Sequence, residues 1–80
     1  GPLTLRLQIV GGQPQSVRVR LYDANGRWIA DLADGTFAAG ETELTWNRQT
    51  RGGDQAAPGY YEALGTIGST RVRERLVLLP

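Results

Sequence analysis

The sequence predicts an all-β domain, a small antiparallel β-sandwich of six or seven short strands. Three observations carry this prediction. Apolar and polar residues alternate through most of the chain, as where Leu3, Leu5, Leu7 and Ile9 interleave with Thr4, Arg6 and Gln8; period two is the mark of a strand with one buried face. Clusters of Gly, Pro, Asn, Asp and Ser break the alternation at intervals of about 8–12 residues. No segment repeats its apolar residues at helical spacing.

Each element follows from the local pattern. The first strand is the Leu3–Ile9 alternation, and the turn cluster from Gly11 to Ser16 ends it. Val17, Val19 and Leu21 alternate with Arg18 and Arg20 as a second strand, closed by Asp23-Ala24-Asn25-Gly26. In that turn Asp bonds to its own backbone, and Gly26 supplies positive φ at low cost. A third strand runs from Arg27 to Leu32. A turn-rich connection follows, with room for one short strand around Phe37. Thr42, Leu44 and Trp46 alternate with Glu43 and Thr45 as the next strand, and residues 47–59 form a long polar loop. Tyr60 to Leu64 makes a further strand, Gly65 to Thr70 turns, and Arg71 to Leu79 closes the chain. Two facing sheets would bury Val17, Val19, Leu21, Leu44, Trp46, Tyr60 and Leu76 between them.

Bulk properties bound what such a domain does. Eighty residues make one domain, which buries about 60–65% of its unfolded surface. Nine basic and eight acidic residues leave a net charge of +1, too balanced for a nucleic-acid or membrane-surface protein. All nine basic residues are arginine, a compositional bias. With no cysteine and no histidine, disulfide frameworks and Cys/His zinc sites are excluded. No apolar run has the length of a membrane-spanning helix. Gly1-Pro2 reads as the scar of an engineered protease site, which leaves residues 3–80 as one domain from the C-terminal part of a longer protein.

The order of motifs resembles a known group. "VRVRLYDANGRWIADL" is followed by "AAGETELTW", a polar glycine-containing loop, "APGYYEAL" and a short basic-to-apolar strand. This succession, over about residues 17 to 79, resembles the C-terminal sorting domains of the type IX secretion system and the related Ig-like domain of flagellar hook-capping proteins. The resemblance implies an Ig-like sandwich at the end of a secreted cargo protein. It would fold in the periplasm and direct its N-terminal passenger domains across the bacterial outer membrane to the cell surface or beyond. Its partners would be the outer-membrane secretion machinery and a signal peptidase that removes it. The family's glycine motifs map to Gly40 and to Gly59 with Tyr60, and its final strand to Arg71–Leu79; Gly26 joins them as a fold-shaping turn residue. The chain departs from the family in ending on Pro80 and in carrying Arg where Lys is common.

The candidate recognition site is the last strand. Arg71, Arg73 and Arg75 share one face, continued by Val77 and Leu79, because side chains alternate sides along a strand. Charge followed by an apolar step makes a docking stripe, and a solvated strand face is the plainer reading. Arg18 and Arg20 form a second stripe that would widen the patch. Nucleic acid does not fit it, since acids offset the charge and aromatics do not interleave with it. Glu74 falls on the inward phase with Val72, Leu76 and Leu78, so it lies at the rim, pairs with an arginine or marks a bulge.

Trp28 and Ile29 occupy opposite phases, so one of them is exposed; an exposed Trp28 with Tyr61 would make a sugar-stacking platform. Most of the carboxylates fall in turns or point outward, with no buried pair suited to acid–base work. No metal or phosphate motif is present, so no cofactor is expected. The sequence therefore predicts a non-enzymatic sorting domain. The alternatives are a structural Ig-like module without a sorting role and a carbohydrate-binding module. Apolar strand edges also make a homodimer, by edge pairing or strand swapping, a further expectation.

Overall fold

A computed structural model describes residues 2–80, so Gly1 of the expected scar lies outside the described residues. Six strands form: β1 (Leu3–Ile9), β2 (Gln15–Asp23), β3 (Trp28–Phe37), β4 (Gly40–Trp46), β5 (Gly59–Ile67) and β6 (Thr70–Leu78). All pairings are antiparallel. They build a two-stranded sheet, β1-β4, over a four-stranded sheet in the order β3-β2-β5-β6. The predicted all-β sandwich is the fold observed.

The topology matches an immunoglobulin sandwich from which positions are missing. In that fold one sheet runs A-B-E-D and the other carries C, F and G, with C′ beside C. β1 and β4 take positions B and E, and β3, β2, β5 and β6 take C′, C, F and G. Positions A and D are empty among the described residues. Tyr61, near the start of the F-position strand, donates its hydroxyl to the carbonyl of Ala57 four residues upstream. That is the tyrosine corner of this fold.

The core lies between the sheets. Ile9, Leu21 and Val17 are its most completely buried large side chains, joined by Leu44, Trp46, Tyr61 and Leu78; each contributes about 1.5–3 kcal/mol by leaving water. β2 is central, and its large residues are flanked by small ones. Val17 faces Gly35 on one side, Val19 lies between Ala33 and Gly65, and Leu21 lies between Ala30 and Ala63. Large beside small lets the facing sheet settle close, as dense packing requires.

This packing corrects four expectations. β3 does not stop at Leu32: it runs through Asp34-Gly35 to Phe37, so there is no separate strand at Phe37. β5 does not stop at Leu64. Gly65 is inside the strand, and the turn is the two-residue Gly68-Ser69 loop between the paired Ile67 and Thr70. A Cβ at Gly65 would overlap the Arg18 carbonyl oxygen and the Val19 Cα, so this glycine serves close approach rather than a turn. Tyr60 is not a core residue. It is 70% exposed while Tyr61 is 7% exposed, because Tyr61, Ala63 and Gly65 form the inward phase and Tyr60 shares the outward phase of Glu62. Leu76 is only half-buried at the margin of the core.

Candidate functional site

The outer face of the four-stranded sheet carries the chemistry. Register sets it out in rows across the strands. Asp34, Arg18, Thr66 and Arg71 form one row; Asp31, Arg20, Leu64 and Arg73 the next; Trp28, Tyr22, Glu62 and Arg75 a third. Tyr60 and Val77 lie opposite one another beyond these rows.

Charge is distributed unevenly along the rows. On the β3 side each arginine of β2 has its own acid: Arg18 Nη2 lies 3.6 Å from Asp34 Oδ2, and Arg20 Nε lies 3.4 Å from Asp31 Oδ1. Arg18 and Arg20 therefore do not widen a basic patch. On the β6 side one acid serves two arginines. Glu62 Oε2 accepts from Arg73 Nε at 2.6 Å and lies 3.9 Å from Arg75 Nε. No ion pair is made by Arg71 among the described residues. Positive charge thus accumulates at the β6 edge.

β6 is also a bare edge. It pairs with β5 alone, which leaves a row of unpaired backbone groups. The opposite edge, β3, is partly covered by the loop over residues 47–58. That loop folds back on itself through a Gln49–Gln55 bridge and bonds Thr50 N to Asp54 O and Ala56 N to Arg48 O. It then bonds Arg51 N to the carbonyl of Ile29 in β3 at 2.8 Å. Its start is held by Trp46 Nε1 donating to Gln49 O and by Gln49 N donating to Asn47 Oδ1.

The predicted stripe residues come together as one surface. Arg71, Arg73 and Arg75 are exposed on the outer face of β6. Val77 is 51% exposed on the same face, and Leu79, just beyond the strand, is 68% exposed. Tyr60 adds an exposed aromatic beside Val77, a contribution hidden in the sequence by its assignment to the core. Gly26, Gly40 and Gly59 all sit at turns or strand starts with positive φ, at 83°, 112° and 146°. Glu74 resolves to the rim. It is exposed on the inner face of β6, no bulge interrupts the β5–β6 register, and it makes no ion pair among the described residues.

The sugar platform does not form. Tyr61 is in the core, edge-on to Trp46 with centroids 5.5 Å apart. Both Trp28 and Ile29 are half-buried, so neither is the single exposed member of the pair. Trp28 donates Nε1 to Asp31 at 3.1 Å, and the guanidiniums of Arg20 and Arg51 stack on its ring at 4.0 and 3.4 Å from the centroid. These cation–π contacts occupy the surface a sugar would need.

The other notable group is Asp23 in the β2–β3 turn. Its Oδ1 accepts from the backbone N–H groups of Asn25 and Arg27, both at 2.9 Å, and its Oδ2 accepts from Arg27 Nε. The Arg27 backbone bond is the largest influence on its carboxyl; burial opposes it, and the Arg27 side chain and the Asn25 bond add to it, so the carboxyl is held below the usual carboxylate value. Burial, with the nearby Asp23 charge, pushes the Tyr61 phenol up. Among the described residues no three acidic side chains converge as a metal site. No protein-family model matches the chain, and no curated protein or solved structure matches it.

Proposed function

We propose that this chain is a sorting domain of the type IX kind, a binding module that a secretion apparatus recognises rather than a catalyst. The observation that supports this reading best is the β6 edge. An unpaired strand edge, an unbalanced arginine stripe and an exposed apolar step at Val77 and Leu79 lie on one continuous surface. A partner groove with acidic and apolar subsites would read Arg71, Arg73, Arg75 and Val77 in order, with Leu79 as the terminal anchor. Main-chain bonds to the free edge would add affinity without sequence dependence. Gly26, Gly40 and Gly59 would shape the fold that presents the stripe, with Tyr60 beside it. In this reading the domain passes through the periplasm and carries N-terminal passenger domains to the surface, where a signal peptidase removes it.

The test is a fusion of residues 3–80 to a secreted passenger in a host with the type IX system. Deleting residues 76–80 is expected to abolish export. That deletion also removes the buried Leu78, so a second variant keeps the fold: Arg71→Thr, Arg73→Thr and Val77→Thr together. Circular dichroism should report a native sheet for this variant while its export drops to background. Export at the parent level by the folded triple variant would sink the proposal.

A further inference from the structure

The two sheets are unequal, and the mismatch leaves one side of the sandwich open. β1 pairs only with β4, and β6 only with β5, so each sheet ends there in a free edge. β6 overhangs β1, and the cleft between them, about 630 Å³, is lined by Leu5 and Leu7 of β1 and by Val72 and Glu74 of β6. The inward phase on this side is apolar with a single exception. Leu3, Leu5, Leu7 and Ile9 face inward from β1, and Val72, Leu76 and Leu78 from β6; Glu74 is the one charge in either row. Leu3, Leu5, Leu7, Val72 and Leu76 stay half-buried. Glu74 is exposed and makes no ion pair among the described residues.

This side fits a second copy of the chain in every respect but that one. Leu3 lies across from Trp46, Trp46 packs on Tyr61, and Tyr61 lies across from Leu76. The start of β1 and the end of β6 thus share one end of the sandwich, and the two strands run in opposite directions. A two-fold axis parallel to the strands would set β6 of each copy antiparallel beside β1 of the other, closing both seams at once. Each layer would become a continuous sheet of six strands. The overhanging β6 has no strand beneath it to collide with. On the outer face Arg6 lies across from Glu43, and Arg73 is bonded to Glu62, so charge there is balanced within each copy and bars nothing.

The inner face is different. Rotation about that axis leaves every residue at its own height, so Glu74 would meet its symmetry mate inside the closed seam, among Val72 and Leu76. We propose that Glu74 is what holds this domain apart from copies of itself. Two carboxylates buried together, with no cation between them, cost more than the new strand pairs and apolar contacts return. A charge on the inward phase of an edge strand is one of the ways sheets are kept from joining edge to edge. The inference rests on the inner faces of β1 and β6 and does not depend on what reads the outer arginine stripe.

Analytical ultracentrifugation over a wide concentration range tests it. The parent protein should sediment as the 8.7 kDa monomer. Glu74→Leu should sediment at twice that mass, and Glu74→Val should do the same. Glu74→Lys, which keeps a charge at the site, should stay monomeric. The position is exposed, so the native sheet should persist in all three, as circular dichroism would report. In the Glu74→Leu dimer, hydrogen exchange should slow at the amides of β1 that point away from β4 and at those of β6 that point away from β5. A dimeric parent, monomeric Glu74→Leu and Glu74→Val, a dimeric Glu74→Lys, or protection confined to β3 would each overturn the proposal.

Discussion

The hydroxyl of Tyr61 leaves the core to meet the Ala57 carbonyl, while its ring stays edge-on to Trp46. One side chain thus ties the end of the 47–58 loop to the centre of the sandwich. Tyr61→Phe keeps the ring contact and removes only the bond. The loss should be about 1 kcal/mol, read as a fall in melting temperature of about 4–8 °C. Asp23 acts at the same scale but through charge. Its folded carboxyl titrates below the unfolded value of about 3.9, so its contribution is fully present above that value and is lost as pH falls through the lower, folded one. Asp23→Asn should therefore be less stable than the parent at about pH 7, and the gap should close as denaturation is repeated toward about pH 2. A gap that is unchanged in acid would show that the carboxylate charge is not what the turn uses. The sequence made Asp23 and Gly26 readable because a turn's chemistry is local. The phase of the adjacent Tyr60-Tyr61 was not readable from the two tyrosines, since either ring suits a core. Glu62 held the answer, because the residue two places before an outward acid must also point out.

At the scale of the strand, glycine misled where it served packing instead of turning. Gly35 and Gly65 look like breaks in the alternation, yet they sit inside β3 and β5, opposite Val17 and Val19 of the central strand. No local pattern distinguishes a glycine that bends the chain from one that makes room for a neighbour in another strand. The distinction needs the pairing register. Gly65→Ala tests the assignment. Since its Cβ would run into backbone of β2 rather than a movable side chain, the cost should be about 1–3 kcal/mol or more, measured by urea denaturation. A near-neutral result would mean that β2 and β5 can separate without loss. The strong period-two signals in β1, β2, β4 and β6, by contrast, gave those elements to within a few residues. There the buried face alone decides the pattern.

For the whole molecule, what periodicity cannot convey is how strands are shared between sheets. Leu3 to Ile9 and Arg71 to Leu79 each read as sound strands, but nothing in either says that both become outer edges on the same side. The unequal division arises from long-range pairing, β1 with β4 and β6 with β5, and it decides which surfaces are open. It also fixes where the ends of the domain emerge. Leu3 lies across from Trp46, Trp46 packs on Tyr61, and Tyr61 lies across from Leu76. The start of β1 and the end of β6 are therefore at one end of the sandwich. Tension applied between polypeptide tethered before Leu3 and polypeptide held beyond Leu78 pulls both edge strands sideways from that end. Ladder bonds run perpendicular to the strands, so they are met in succession and not all at once. Under traction along that line the domain should yield from its edges, one ladder bond after another, at lower force than a sandwich pulled along its strands.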